Sequence, residues 1–115
     1  MWYVIQVASG KEQRTLRLIE KQVDNTLFDE CFIPHYEVKK RYHGIWHKRR
    51  EILFPGYVFL VTDRIEQVAH ELRALPMFTR LLGNSENFIP LSSDEIALIS
   101  AFTSEEHRDI VMSEG

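Results

Sequence analysis

The stretch Glu37–Val61, EVKKRYHGIWHKRREILFPGYVFLV, decides the fold class. Glu37–Tyr42 leads into His43-Gly44, and Ile45–Leu53 leads out again. A two-residue turn with glycine second is a hairpin signal, although histidine is weaker than Asn or Asp at the first position. Phe54-Pro55-Gly56 breaks the run, and Tyr57–Val61 is a further β-rich stretch. Just upstream, Phe32-Ile33-Pro34 opens a strand, with Pro34 placed at an edge or bulge because it has no N–H to give a sheet. These strands follow one another without crossover helices, which disfavours a doubly wound parallel sheet.

Working outward, Trp2–Ala8 is a short apolar run bounded by Ser9-Gly10 and reads as a buried strand. Ser9 followed by Glu12 is a capping-box spacing for a helix running to about Asp24-Asn25. Leu16, Ile19 and Val23 form its apolar face, with Leu18 at the margin, while Arg14, Arg17 and Lys21 share another face. Asp63–Leu75 is helical, with Ile65, Val68, Ala69 and Leu72 inward and Pro76 as the stop. Phe78–Leu82 is a last short strand, ended by Gly83-Asn84. Ser92-Ser93-Asp94-Glu95 caps a final helix through Ile96, Leu98, Ile99 and Phe102, with acids where the helix dipole favours them. The order β-α-β-β-β-α-β-α predicts an α+β sandwich: an antiparallel four-stranded sheet flanked by helices, with ferredoxin-like topology. Residues 1–103 form the domain, and the acidic, polar run 104–115 reads as a linker.

The chain has 115 residues, 14 Lys+Arg against 17 Asp+Glu, and a formal net charge of −3. That length supports one ordinary domain. No apolar run approaches the roughly 20 residues of a membrane helix, no signal peptide is visible, and the single Cys31 fits a reducing cytosol. A cytoplasmic monomer with no membrane partner is expected. The mean charge argues against a nucleic-acid partner, but its placement does not. Residues 1–60 hold ten bases and seven acids, whereas residues 61–115 hold four and ten. Six of the first ten bases lie in the hairpin: Lys39, Lys40, Arg41, Lys48, Arg49 and Arg50.

With His43-Gly44 as the turn, Tyr42 lies opposite Ile45, Arg41 opposite Trp46, Lys39 opposite Lys48 and Glu37 opposite Arg50. A like-charge pair such as Lys39 and Lys48 costs stability unless something offsets it, and a polyanion would. Aromatic rings beside cations suit nucleic acid, since rings stack on bases while cations meet phosphates. A solvated basic tip that discourages edge-to-edge aggregation is the competing account. The Arg14, Arg17 and Lys21 stripe is open in the same way, to phosphate or to water.

Metal binding has little support. His43 and His47, like Cys31 and His35, are four apart, but in strands, and no second cysteine completes a ligand set. Catalysis has none: there is no phosphate-binding glycine loop, nucleophile elbow or zinc-protease histidine pair. Neither an enzyme nor a cofactor is expected. Tyr57 and Phe59 point to one side of their strand, with Phe54 just before the Pro55-Gly56 break; they serve either as core or as a docking surface for a partner helix.

Trp2-Tyr3-Val4-Ile5-Gln6-Val7 followed by Ser9-Gly10-Lys11-Glu12 resembles the opening of the N-terminal (NGN) domain of NusG-type transcription elongation factors. Leu53-Phe54-Pro55-Gly56-Tyr57-Val58-Phe59 resembles that family's most recognisable motif, and Leu75-Pro76, Phe78, Leu82-Gly83 and Ile89-Pro90-Leu91-Ser92 continue the likeness to about residue 102. The resemblance implies a domain that docks on the clamp helices of the largest RNA polymerase subunit and suppresses pausing or termination. Phe54, Pro55, Gly56, Tyr57 and Phe59 become the docking residues. Arg14, Arg17, Lys21, Lys39, Lys40, Arg41, Trp46, Lys48, Arg49 and Arg50 become contacts to non-template DNA or nascent RNA. The basic hairpin, Phe59 and the Leu75–Leu82 run look most like the specialised LoaP-type antitermination paralogues. The family also carries a C-terminal KOW barrel, to which residues 104–115 would lead. A stand-alone RNA-binding module of RRM-like fold is the alternative, since Gly56-Tyr57-Val58-Phe59 partly imitates an RNP1 sequence, with Pro55 where Lys or Arg belongs.

Overall fold

Apolar side chains on both sides of Trp2–Val7 and Tyr57–Val61 make these the two central strands of a sheet buried on both faces. The computed structural model describes residues 1–83, 88–102 and 109–110. Its elements run β1 (Trp2–Val7), α1 (Glu12–Gln22), a 3-10 turn (Asn25–Leu27), β2 (Glu30–Phe32), β3 (His35–Tyr42), β4 (Ile45–Ile52), β5 (Tyr57–Val61), α2 (Ile65–Leu72), β6 (Thr79–Leu81), α3 (Ser93–Phe102) and β7 (Asp109–Ile110). The main sheet has the order β2-β5-β1-β6 with every pairing antiparallel. Set aside β3 and β4, and this is the ferredoxin-like β-α-β-β-α-β arrangement that the sequence predicts.

Alternation along the strands divides the core in two. Ile5, Val7, Val58 and Leu60 meet Ile19 and Val23 from the α1 segment and Val68 and Leu72 of α2 on one face. Trp2, Val4, Phe32 and Phe59 lie on the other, where Leu91, Ile96 and Ile99 pack over them. A hydrogen bond from Leu91 N to Trp2 O, 2.8 Å, ties the approach to α3 to the start of β1.

β3 and β4 project as a hairpin in the register the turn predicts: Tyr42 faces Ile45, Arg41 faces Trp46, Lys39 faces Lys48 and Glu37 faces Arg50. His43 and Gly44 have φ of 51° and 77°, the paired positive values of a type I′ turn. At about 3.3 Å per residue each arm is roughly 26 Å long. The arm accounts for a molecule of 52 × 32 × 26 Å. At the hairpin's outer edge, β7 pairs in parallel with His35 and Tyr36. Expectations for Asn84 and for the rest of residues 104–115 lie outside the described residues.

Four local expectations are corrected. The single strand through Phe32-Ile33-Pro34 is two strands, because fully buried Pro34 cannot donate to a ladder and the chain changes sheets there. Ser9 does not cap α1: the cap residue is Lys11, with no side-chain cap bond, and Glu12 turns inward instead. The helix ends at Gln22, before the 3-10 turn that Asp24 caps through Thr26 N. The second helix is shorter than Asp63–Leu75, its C-terminal turns continuing to Leu75 through bonds to Glu71 O and Leu72 O.

α3 starts as its sequence predicts. Glu95 N donates to Ser92 Oγ at 3.2 Å, and Ser92 N donates to Glu95 Oε1 at 2.9 Å, a reciprocal capping box. The Ser92 backbone N–H, with the Ser92 hydroxyl, holds the Glu95 carboxyl below its ordinary value. A depressed carboxylate favours the fold above its unfolded pKa and loses that contribution as pH falls through the folded one. Ser92→Ala removes the hydroxyl that accepts from Glu95 N, and loss of such a cap is expected to destabilise the chain by about 1 kcal/mol at neutral pH. The difference should shrink on acidification below the ordinary carboxylate range; equal unfolding midpoints for both proteins at neutral pH would remove the cap from the account.

Candidate functional site

The turn between β4 and β5 is set by its sequence. Tyr57 N donates to Phe54 O at 3.2 Å across Pro55-Gly56, and Gly56 has φ of 87°. Proline first and a positive-φ glycine second is the type II pattern. The positive φ strains any side chain there, and a Cβ on Gly56 would also crowd Ser9 Oγ at 3.3 Å. The turn is tied inward at both peptide groups. Val7 N donates to Gly56 O at 2.8 Å, and Gly56 N donates to Glu12 Oε2 at 2.8 Å. Glu12 is 3% exposed, a buried carboxylate at the start of α1 that braces a turn 44 residues away.

Around this turn the five expected docking residues take different positions. Phe54 and Pro55 are exposed, Tyr57 is half-buried, and Gly56 and Phe59 are buried. Phe59 is 4% exposed in the second core cluster. Ring centroids form a row: Trp2 to Phe32 at 5.4 Å, Phe32 to Phe59 at 5.5 Å, and Phe59 to Phe54 at 5.5 Å. Three of these rings are interior, and Phe54, 38% exposed, is the end that reaches solvent. Phe59 therefore supports the exposed rim from beneath. The rim itself is Phe54, Pro55 and Tyr57.

The basic residues fall on two elements. Every residue from Lys39 to Arg50 is exposed, as are Arg14, Arg17 and Lys21 on α1. Within the hairpin, Lys40 Nζ reaches Glu51 Oε1 at 3.8 Å, and Tyr36 donates its hydroxyl to Glu51 Oε2 at 2.9 Å. That hydrogen bond to a carboxylate raises the Tyr36 pKa. Tyr42 makes edge contacts to His43, at 4.1 Å, and to His47, at 6.2 Å. Trp46 is 62% exposed. The hairpin root touches α1 through Gln13 Nε2 and His35 Nε2, 3.4 Å apart. Cys31 is a core thiol whose pKa burial pushes far up, with Glu20 and Glu30 adding to the shift.

Three residues were not legible as contributors to the site. Glu12 reads as a helix cap, and its partner Gly56 is set only by the fold. Gln13 and His35 carry no motif, yet their contact brings the two basic elements together.

This α+β fold is consistent with the N-terminal domains of NusG proteins. The chain belongs to the NusG family: the family model described as "Transcription termination factor nusG" matches residues 1–100. It is 32% identical over 102 residues to the transcription termination/antitermination protein NusG of Campylobacter jejuni, covering 85% of this chain and 58% of that protein. Against the Helicobacter pylori protein of the same name it is 33% identical over 105 residues, with the same two coverages. The Haemophilus influenzae NusG is 31% identical over 99 residues, 82% of this chain and 54% of that protein. The chain thus spans little more than half the length of these relatives. Among the described residues, no helix is long and apolar enough to cross a membrane.

Proposed function

We propose that this chain is the polymerase-docking part of a cytoplasmic transcription elongation and antitermination factor. Its NGN domain, residues 1–103, binds the clamp helices of the largest RNA polymerase subunit and suppresses pausing or termination. Phe54, Pro55 and Tyr57 form the contact surface, Gly56 shapes it and Phe59 supports it. Arg14, Arg17, Lys21 and the hairpin bases with Trp46 meet non-template DNA or nascent RNA. On this reading residues 104–115 lead to a KOW domain, and the basic hairpin, Phe59 and the Leu75–Leu82 run favour the specialised LoaP-type group.

The observation carrying this reading is the aromatic rim of exposed Phe54 and half-buried Tyr57, braced by Glu12 and backed by a buried row of rings. Aromatic residues held rigidly over a packed base have the make-up of an interface hot spot, because little side-chain entropy is lost on contact. A stand-alone RNA-recognition module would instead stack bases on the open face of its sheet. That face is occupied here by Leu91, Ile96 and Ile99 above Phe59.

The test is capture of core RNA polymerase. Phe54→Ala combined with Tyr57→Ala is expected to weaken capture more than about tenfold, with an unchanged circular dichroism spectrum. Undiminished capture by this folded variant would refute the docking assignment. Tight binding of a short RNA by the chain, unaffected by the same substitutions and with no polymerase capture, would favour the RNA module.

A further inference from the structure

The strand register sorts the hairpin's cations onto two faces that are not chemically alike. Directly paired residues of an antiparallel ladder share a face, and successive residues alternate. Glu37, Lys39, Arg41, Trp46, Lys48 and Arg50 therefore lie on one face, and Lys40, Tyr42, Ile45, His47, Arg49 and Glu51 on the other. The second face is partly self-satisfied: Lys40 is paired with Glu51, and Tyr42, although 65% exposed, has its ring edge-on to His43 and His47. The first holds four cations and one acid, sets Lys39 against Lys48, and carries an indole that is 62% exposed. Among the described residues, Lys39, Arg41 and Lys48 have no ion pair. The first face is also the one whose root, His35, touches Gln13 of α1. Gln13 and Arg17 are one helical turn apart, with Arg14 adjacent, so the α1 stripe begins where this hairpin face ends.

Resting on the nucleic-acid contact proposed above, we infer that the Lys39–Arg41–Trp46–Lys48–Arg50 face and the Arg14–Arg17 stripe form one continuous track for a single strand of nucleic acid. An unpaired base stacks on Trp46, and the opposite hairpin face takes no part. Charge complementarity selects a polyanion. The exposed indole selects a single strand, because the faces of bases inside a duplex are already covered by their neighbours.

The experiment titrates the 115-residue chain with a single-stranded 12-nucleotide oligomer, as RNA and as DNA, and with a duplex of the same sequence. Binding is followed by anisotropy and by tryptophan emission over a salt series. Trp2 is buried, so quenching reports Trp46. Lys39→Ser with Lys48→Ser is expected to weaken single-strand binding about tenfold or more. Lys40→Ser with Arg49→Ser, an identical loss of charge, should change it less than about threefold. Trp46→Ala should cost about tenfold and abolish quenching with the salt slope unchanged, while Trp46→Phe retains most of the affinity. Arg14→Ser with Arg17→Ser should lower the salt slope by about 1.4, the share of two phosphates on a single strand.

Equal losses from the two hairpin pairs would overturn the face assignment while leaving nucleic-acid contact standing. An unchanged salt slope in the α1 variant would break the continuity. Duplex binding as tight as single-strand binding, or no quenching, would remove the stacked base. If the unaltered chain binds no strand even at low salt, the nucleic-acid reading and this inference fail together.

Discussion

Phe59→Ala is expected to destabilise the chain by about 3–5 kcal/mol, the cost of removing a buried phenyl ring and leaving its cavity. Phe59 is 4% exposed, pairs with Val4 of β1 and Phe32 of β2, and is the middle link between Phe32 and Phe54. Its loss removes two ring contacts as well as buried area. A domain of this size has a total stability of roughly 5–15 kcal/mol, so this one change consumes a large fraction of it. Urea unfolding should show a lower midpoint with an unchanged slope, the signature of lost stability in an otherwise intact transition. Phe54→Ala, at the solvent end of the same row, should cost far less. Near-equal losses at the two positions would mean that the row does not divide into an interior and a rim.

This difference changes how polymerase binding must be tested. Phe59→Ala weakens capture by unfolding the domain whether or not the ring touches a partner. Phe59→Leu keeps most of the volume and should cost less than about 1.5 kcal/mol, which makes it the usable variant at that position. The double change at Phe54 and Tyr57 touches the rim directly.

The hairpin was the most legible part of the sequence because its register is a local property. Positive φ at His43 and Gly44 fixes the turn, and the turn fixes every pair down to His35 and Ile52. The same holds for the α3 capping box, where donor and acceptor are three residues apart. Legibility fails where the partner is distant. Alternation places Tyr57 and Phe59 on one side of β5, but their exposure depends on the segment around α3, some 30–40 residues downstream, lying over that side. Pro34 signals that a ladder bond is missing; that the chain changes sheets there depends on β2 pairing with β5, about 30 residues downstream, while β3 pairs with β4. The mean charge of −3 was least informative, because ionic contact depends on the face that carries the charge.

The Glu12 carboxylate shows most clearly how a distant contact shapes the proposed docking surface. Ser9 and Glu12 have capping-box spacing, yet Glu12 is 3% exposed and accepts from Gly56 N at 2.8 Å. The positive end of α1 stabilises a negative group in its first turn, so the helix start offsets part of the cost of burying it. Glu12→Ala leaves the Gly56 N–H buried without its acceptor, a loss of about 1–3 kcal/mol. Glu12→Gln keeps an acceptor oxygen at similar reach and should cost less. The same bond holds the Pro55-Gly56 turn against the start of α1, so the alanine variant should also loosen Phe54 and Tyr57 and weaken polymerase capture beyond its effect on folding. Amide hydrogen exchange isolates the local event: the Gly56 amide should lose protection in Glu12→Ala under conditions where Val58 and Leu60 keep theirs. Should the Gly56 amide stay protected and stability fall by less than about 0.5 kcal/mol, the turn is held by its Val7 bond and its own type II geometry. If instead the Gly56 amide alone opens and capture weakens in proportion, the buried carboxylate is the element that orients the rim, and α1 and the turn act as one rigid unit.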